Sequence, residues 1–296
     1  MVERLARTLF ELPLTGAGGE PISFARTVYS HGCARLPPAT IEPKPLRYRR
    51  ALRIGNDIVE LVMSQRNDKL VVQSATALRK RDVALAESIV ATMFRLNDDL
   101  APFYQLVQGD PLLGWAAGGA GRLMASPTVF EDAIKTICTT NCAWSATVRM
   151  TTALVALGGG AFPEPALLAS TKDAWFRDVA RMGYRGAYIS SIARDVDSGS
   201  VNLEALRSPP SYDDEAAEEL LLSLPGIGPY GVAHVMQLLG RHRRLALDSW
   251  TRPKFLQLSG KRQATDRTIG RTFARYKEYA GLAFWLYLTR DWVEEA

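Results

Sequence analysis

Asp248 closes a short apolar run, Leu245-Ala246-Leu247, eighteen residues after Tyr230. A carboxylate in such a setting can stabilise positive charge growing on a reacting carbon, or orient and deprotonate a water for attack. Its ordinary alternative is a helix N-cap, with Ser249–Thr251 opening the next helix. The two roles are compatible, because a cap position fixes the side chain. Upstream lies the string Leu224-Pro225-Gly226-Ile227-Gly228. Pro225 stops a helix, Gly226 and Gly228 permit a tight turn and close approach, and Ile227 can plug into an interhelix core. The turn feeds a helix N-terminus, whose free N–H groups and partial positive charge can hold a phosphate oxygen. Such a grip reads backbone rather than bases. A generic tight helical hairpin has a similar glycine pattern, and the turn alone implies binding, not catalysis.

The elements that must position these groups follow from periodicity. Glu215–Leu224 and Tyr230–Leu239 read as a close helical pair, so the hairpin spans 215–240. Ser126-Pro127-Thr128 opens a helix in which Thr128 and Glu131 form a capping box, and Phe130, Ala133, Ile134, Ile137 and Cys138 make its buried stripe. Trp144–Leu157 is the next helix, stopped by three glycines. Asp173–Met182, Tyr188–Val196, Thr268–Tyr276 and Ala280–Leu288 add further helices. Before them, Leu46–Gln73 alternates as antiparallel strands with one wet face and a turn at Arg66-Asn67-Asp68. Val83, Ala86, Ile89, Val90, Met93 and Phe94 then recur at helical spacing. The expected fold class is therefore α+β and predominantly helical: a small antiparallel sheet domain over 1–82, then a helical domain over 83–296.

Charge is uneven along the 296 residues. Between Arg241 and Lys277 there are eleven Lys/Arg and two Asp/Glu, a local +9, against a total of +5. Between Pro45 and Arg81 the balance is nine to three. A face that meets an anionic polymer explains this asymmetry, and a solvated arginine-rich surface is its bland alternative. Three cysteines and three histidines argue against a structural zinc or a four-cysteine iron–sulfur cluster. The longest apolar run considered, Ala280–Leu288, has nine residues, half the ~18 a membrane helix needs. Glu3 and the short stretch before Pro13 leave no room for a signal-peptide core, so an intracellular location is expected.

Leu224–Gly228, Tyr230 and Asp248 together resemble the helix-hairpin-helix DNA glycosylases, whose Gly/Pro-rich loop is followed by an aspartate. Phe24–Ala34 (FARTVYSHGCA) is similar to the start of their N-terminal sheet domain, Leu123–Trp144 to the helix and turn before the damaged-base pocket, and Gly183–Ile189 to their central helical segment. The resemblance implies base excision in double-stranded DNA. A damaged base is flipped out of the stack, because its sugar bond is inaccessible inside the duplex, and is then cut from deoxyribose. It implies Asp248 as the catalytic residue, and the backbone carbonyls of Leu222, Leu224 and Ile227 as holders of a monovalent cation (Na+ or K+) under the gripped phosphate. No other cofactor is required. Gly226, Gly228 and Tyr230 would meet the DNA backbone, as would Arg241, Arg243, Arg244, Arg252 and Lys254.

Some relatives carry a lysine where this chain has Tyr230. That amine attacks the sugar, forms a Schiff base and permits strand cleavage; tyrosine cannot. The expectation is a monofunctional enzyme without lyase activity. Tyr230, Trp250 and Trp144 are base-pocket candidates, with core packing as the alternative for each. Asn141, at the tip after Thr139-Thr140, would fill the gap left by the flipped nucleotide and touch the orphan base; a helix C-cap is its competing role. His234 falls one turn beyond Tyr230, where packing is favoured over DNA contact, and His31 is open between a phosphate and a loop hydrogen bond. Alkylpurines are the expected substrates, oxidised guanine the runner-up, and a noncatalytic DNA-binding module the alternative from another class. A monomer is expected, cytoplasmic or nucleoid-associated in a prokaryote and intracellular otherwise, with no membrane partner.

Overall fold

The computed structural model describes residues 7–207 and 211–293. Glu3, on which the leader expectation rested, lies outside them. The first layer is a five-stranded antiparallel sheet: β1 (Arg7–Pro13), β2 (Ala39–Pro43), β3 (Leu46–Ile54), β4 (Asp57–Arg66) and β5 (Lys69–Ser74), in the order β1-β5-β4-β3-β2. The strands β3–β5 are joined by tight turns, and Asn67 takes the left-handed conformation in the second. The period-two face that packs inward is Val59, Leu61 and Met63 with Leu52, Ile54, Leu70 and Val72. Ile58 and Glu60 lie on the opposite, exposed face.

The described residues also form twelve α-helices: α1 (Phe24–Val28), α2 (Lys80–Met93), α3 (Ala101–Val107), α4 (Val129–Thr139), α5 (Trp144–Leu157), α6 (Pro165–Ser170), α7 (Arg185–Asp197), α8 (Asp214–Ser223), α9 (Pro229–Leu238), α10 (Thr251–Ser259), α11 (Asp266–Phe273) and α12 (Ala280–Thr289). The expected helix over 173–182 is shorter, and over Trp175–Val179 it is wound as a π-helix. α2 lays Ala86, Val90 and Met93 on the sheet's inner face, where they join Phe24 and Phe94. None of the described helices is long and apolar enough to cross a membrane.

The helical part is arranged around α4. Val129 to Cys138 are buried on every side of this helix, which packs against α5, α7 and α9. Thr128 caps it, its hydroxyl accepting the Glu131 N–H at 3.1 Å. The other half of the capping box is not made. Glu131 is taken by Arg50 from β3 and by Lys135 at 2.7 Å, all three almost fully buried. Their mutual charge overcomes the backbone donor's claim and ties the sheet to the central helix. A second apolar cluster, built from α3, α10, α11 and α12, covers the far side of α9 through Leu238, Phe255, Phe273 and Phe284. The hairpin is thus gripped by packing on both sides, and its turn is left at the surface.

Candidate active site

The turn between α8 and α9 is built as its residue types require. α8 ends at Ser223, one residue before Leu224-Pro225. Gly226 has φ +84°, and a Cβ there would stand 2.6 Å from the Tyr188 ring, so only glycine fits. Leu224 and Ile227 are buried in the interhelix core, with the Ile227 N–H bonded to the Leu224 carbonyl at 3.2 Å. Gly228 is the N-cap of α9 and Pro229 its first residue. Among the described residues, no acceptor meets the N–H groups of Gly226, Gly228 or Tyr230. They are donors available to an anion.

Asp248 holds the start of α10. Its Oδ1 accepts the N–H groups of Trp250 (2.8 Å) and Thr251 (2.6 Å), and the Thr251 hydroxyl accepts the Asp248 N–H at 2.8 Å. The cap is therefore real and reciprocal. It leaves Oδ2 with no protein partner among the described residues.

Turn, aspartate and tip share one cleft of about 830 Å³, lined by Thr139–Cys142, Tyr184, Tyr188, Leu222, Leu224, Gly226–Gly231 and Leu247–Ser249. Among the described residues, Asp248 is the one carboxylate on this lining, and no lysine or arginine stands on it. Tyr230 forms part of the wall. Burial, reinforced by Cys33 and then by Asp248, raises its hydroxyl above the usual range, so the phenol stays protonated. Its ring stacks at 6.1 Å on His234, which burial pushes down to about 4 and keeps neutral. Asn141 stands exposed at the cleft's rim with φ +46°, just past the C-cap of α4, and its amide reaches the Tyr184 hydroxyl at 3.4 Å. Arg185 holds the Thr140 carbonyl behind it. The left-handed backbone makes Asn141 both a helix terminator and a projecting tip.

Other candidate residues are placed differently. Trp250 adjoins Asp248 in sequence, but its ring packs on Trp285 (5.8 Å) and Trp292 (5.7 Å), away from the cleft lining. Trp144 is half-exposed and covers Gly32, where a Cβ would stand 2.9 Å from its ring. The basic run is largely paired within the protein. Arg241 turns inward to Asp214 (2.7 Å) and the carbonyls of Leu206 and Tyr212, with its side chain almost fully buried. Arg244 meets Glu218 (2.7 Å), Arg243 meets Glu215 (3.4 Å), Arg252 makes a two-pronged pair with Asp266 (2.8 and 3.0 Å) and Lys254 meets Asp291 (2.9 Å). Apart from Arg241, these pairs are exposed on at least one side, where exchange for phosphate costs little. Lys135 is buried, 2.7 Å from Glu131. His31 is also internal, its Nε2 bonded to the Met124 carbonyl at 2.7 Å.

No family model matches the chain, and no curated protein matches it. Solved structures do. The 3-methyladenine DNA glycosylase from Archaeoglobus fulgidus superposes with TM-score 0.72 at 20% identity, over 96% of this chain and 100% of that one. MBOgg1 in complex with a low-affinity DNA ligand gives 0.71 at 20% identity, over 95% of each chain. The fold is that of the helix-hairpin-helix DNA glycosylases. The apo 8-oxoguanine glycosylase/lyase from Clostridium acetobutylicum follows with 0.68 at 17% identity, over 92% of this chain and 94% of that one. The glycosylase fold thus spans the sheet as well as the helices. Tyr184 and Tyr188 are lining residues that sequence reasoning did not single out, although both lie in the Gly183–Ile189 segment that it did.

Proposed function

We propose that this protein is a monofunctional DNA N-glycosylase that hydrolyses the base–sugar bond of damaged purines in duplex DNA, alkylpurines first. The observation that carries the reading is the shared cleft: an anion-gripping turn, the free oxygen of Asp248 and the Tyr230 ring face one space that has no amine on its wall. In the proposed reaction the N–H groups of Gly226, Gly228 and Tyr230 grip a backbone phosphate, with the carbonyls of Leu222, Leu224 and Ile227 available to a monovalent cation beneath it. Asn141 takes the space of the flipped nucleotide. As the glycosidic bond breaks, its electron pair leaves with the base and positive charge grows on the sugar. Asp248 stabilises that charge and orients the water that adds to the anomeric carbon. A water proton is lost to solvent through the carboxylate, and an abasic site remains.

Alkylated purines suit this wall because they are cationic and leave readily. Tyr230 offers an aromatic face to such a ring, and the lining's one formal charge is negative. Oxidised guanine is the second reading, favoured by the likeness to the clostridial 8-oxoguanine glycosylase/lyase. The test is a panel of labelled duplexes carrying alkylated, oxidised or deaminated purines, scored for free base and for strand scission before and after alkali. Free base with scission only after alkali is expected. Tight, salt-sensitive binding without base release from any duplex would make the chain a noncatalytic DNA-binding module.

A further inference from the structure

Behind Tyr230 three metal-ligating side chains converge. His31 and Cys33 flank Gly32 in the short turn between α1 and β2, and His234 projects from α9. Their ligand atoms all lie within 4.8 Å of one another, and the two imidazoles meet edge to face at 5.5 Å. His31 Nδ1 and His234 Nε2 are buried with no hydrogen-bond partner. Enclosed polar atoms left bare are costly unless something meets them. The tautomer at His31 is set by its other nitrogen: the Met124 carbonyl at 2.7 Å can only accept, so Nε2 carries the proton and Nδ1 presents a lone pair. A ring N–H held by a backbone carbonyl is the usual support behind a metal-bound histidine.

We propose that His31, Cys33 and His234 bind one divalent transition-metal ion of the zinc class. Two imidazole nitrogens and a thiolate form a borderline-soft set that suits such an ion. Bond lengths of ~2.0–2.1 Å to nitrogen and ~2.3 Å to sulfur require the donors to draw in by roughly 1 Å, within the reach of side-chain torsions. Binding deprotonates Cys33: the thiol and the ion give a metal–thiolate bond and one released proton, with no change of oxidation state. Three protein donors leave one tetrahedral position to water. The nearby cation Lys135 opposes the ion least where it stands, paired with Glu131 at 2.7 Å. The ion would clamp the turn before β2 to the second hairpin helix, directly behind the ring that stacks on His234. Its role would be to fix the cleft wall. His234 stands two hundred and one residues after Cys33, so no local spacing motif announces the set.

The test is a cobalt(II) titration of the full chain after chelator treatment. One equivalent should bind with a thiolate-to-cobalt charge-transfer band, and zinc should bleach it. Cys33→Ser should abolish the band, His31→Ala and His234→Ala should weaken cobalt binding by roughly tenfold or more, and Cys142→Ser should leave it unchanged. Zinc should raise the thermal midpoint of the wild type but not of Cys33→Ser. The absence of a thiolate band in wild type at stoichiometric cobalt would overturn the proposal, whatever the variants do. So would a band that survives Cys33→Ser and disappears in Cys142→Ser. None of these readouts depends on base excision.

Discussion

Replacing Asp248 by asparagine and by alanine separates its capping role from the proposed catalytic one. The carboxylate's Oδ1 accepts two N–H groups at the start of α10, at 2.8 and 2.6 Å. Asparagine is as good a cap as aspartate and keeps an acceptor oxygen there, so Asp248→Asn loses only the attraction between a charge and the helix N-terminus, about 0.3–1 kcal/mol. Alanine loses the cap itself, about 1 kcal/mol, or about 2 °C in thermal midpoint for a chain of this size. Catalysis responds to another quantity. Removing a charge aimed at a developing cation costs ~10²–10³-fold in rate, roughly 3–4 kcal/mol of barrier. Both variants should therefore lose base release to a similar extent, whereas Asp248→Ala, which loses the charge as well as the cap, should melt below Asp248→Asn. The assay is single-turnover base release at enzyme excess beside a thermal melt of the same samples. Asp248→Asn within a few-fold of wild type would refute the catalytic assignment and leave Asp248 as a cap alone.

Other outcomes follow from the same geometry. Glu131→Gln should destabilise the fold by about 3–5 kcal/mol, because Arg50 and Lys135 would be left buried without their counter-charge; urea unfolding measures it. Gly226→Ala should cost about 1–3 kcal/mol, with Cβ at 2.6 Å from Tyr188 and φ at +84°, and should weaken duplex binding more than Asp248→Asn does; fluorescence anisotropy on an abasic-site duplex reads this. Asp132 is a buried carboxyl that desolvation raises to about 6, above its ordinary 3.8. Its folded form favours the proton, so its contribution is full below pH 3.8 and is lost as pH rises through about 6. Asp132→Asn keeps an acceptor for the Ser126 N–H and should gain stability over wild type as pH rises from 5 to 7; a constant difference across that range would contradict the assignment.

Much of this architecture is legible in the chain because its signals are local. Thr128 caps α4, three glycines end α5 and Leu224-Pro225-Gly226 ends α8, each through nearest-neighbour chemistry. The cleft is partly legible for the same reason: Asn141, the turn and Asp248 lie at element ends, where helix geometry aims them outward. What the sequence hides is partner choice. Whether Glu131 completes a capping box or joins Arg50 depends on a strand eighty-one residues away. Whether Arg241 faces DNA or Asp214 depends on how α8 docks. Trp250 looks like a pocket residue by its neighbour Asp248, but an aromatic cluster with Trp285 and Trp292 takes its ring. Charge counts mislead similarly, since the cations of the Arg241–Lys254 stretch meet acidic partners brought in from α8, α11 and the chain's last turn.

Borohydride trapping on an alkylpurine duplex, run in parallel with quantitation of the free base, tests the proposed hydrolytic cleft most directly. Because the proposed function puts Tyr230 where a Schiff-base lysine would be needed, the account predicts stoichiometric base release, an unbroken strand until alkali is added, and no protein–DNA adduct. A covalent adduct forming at the rate of base release would contradict it.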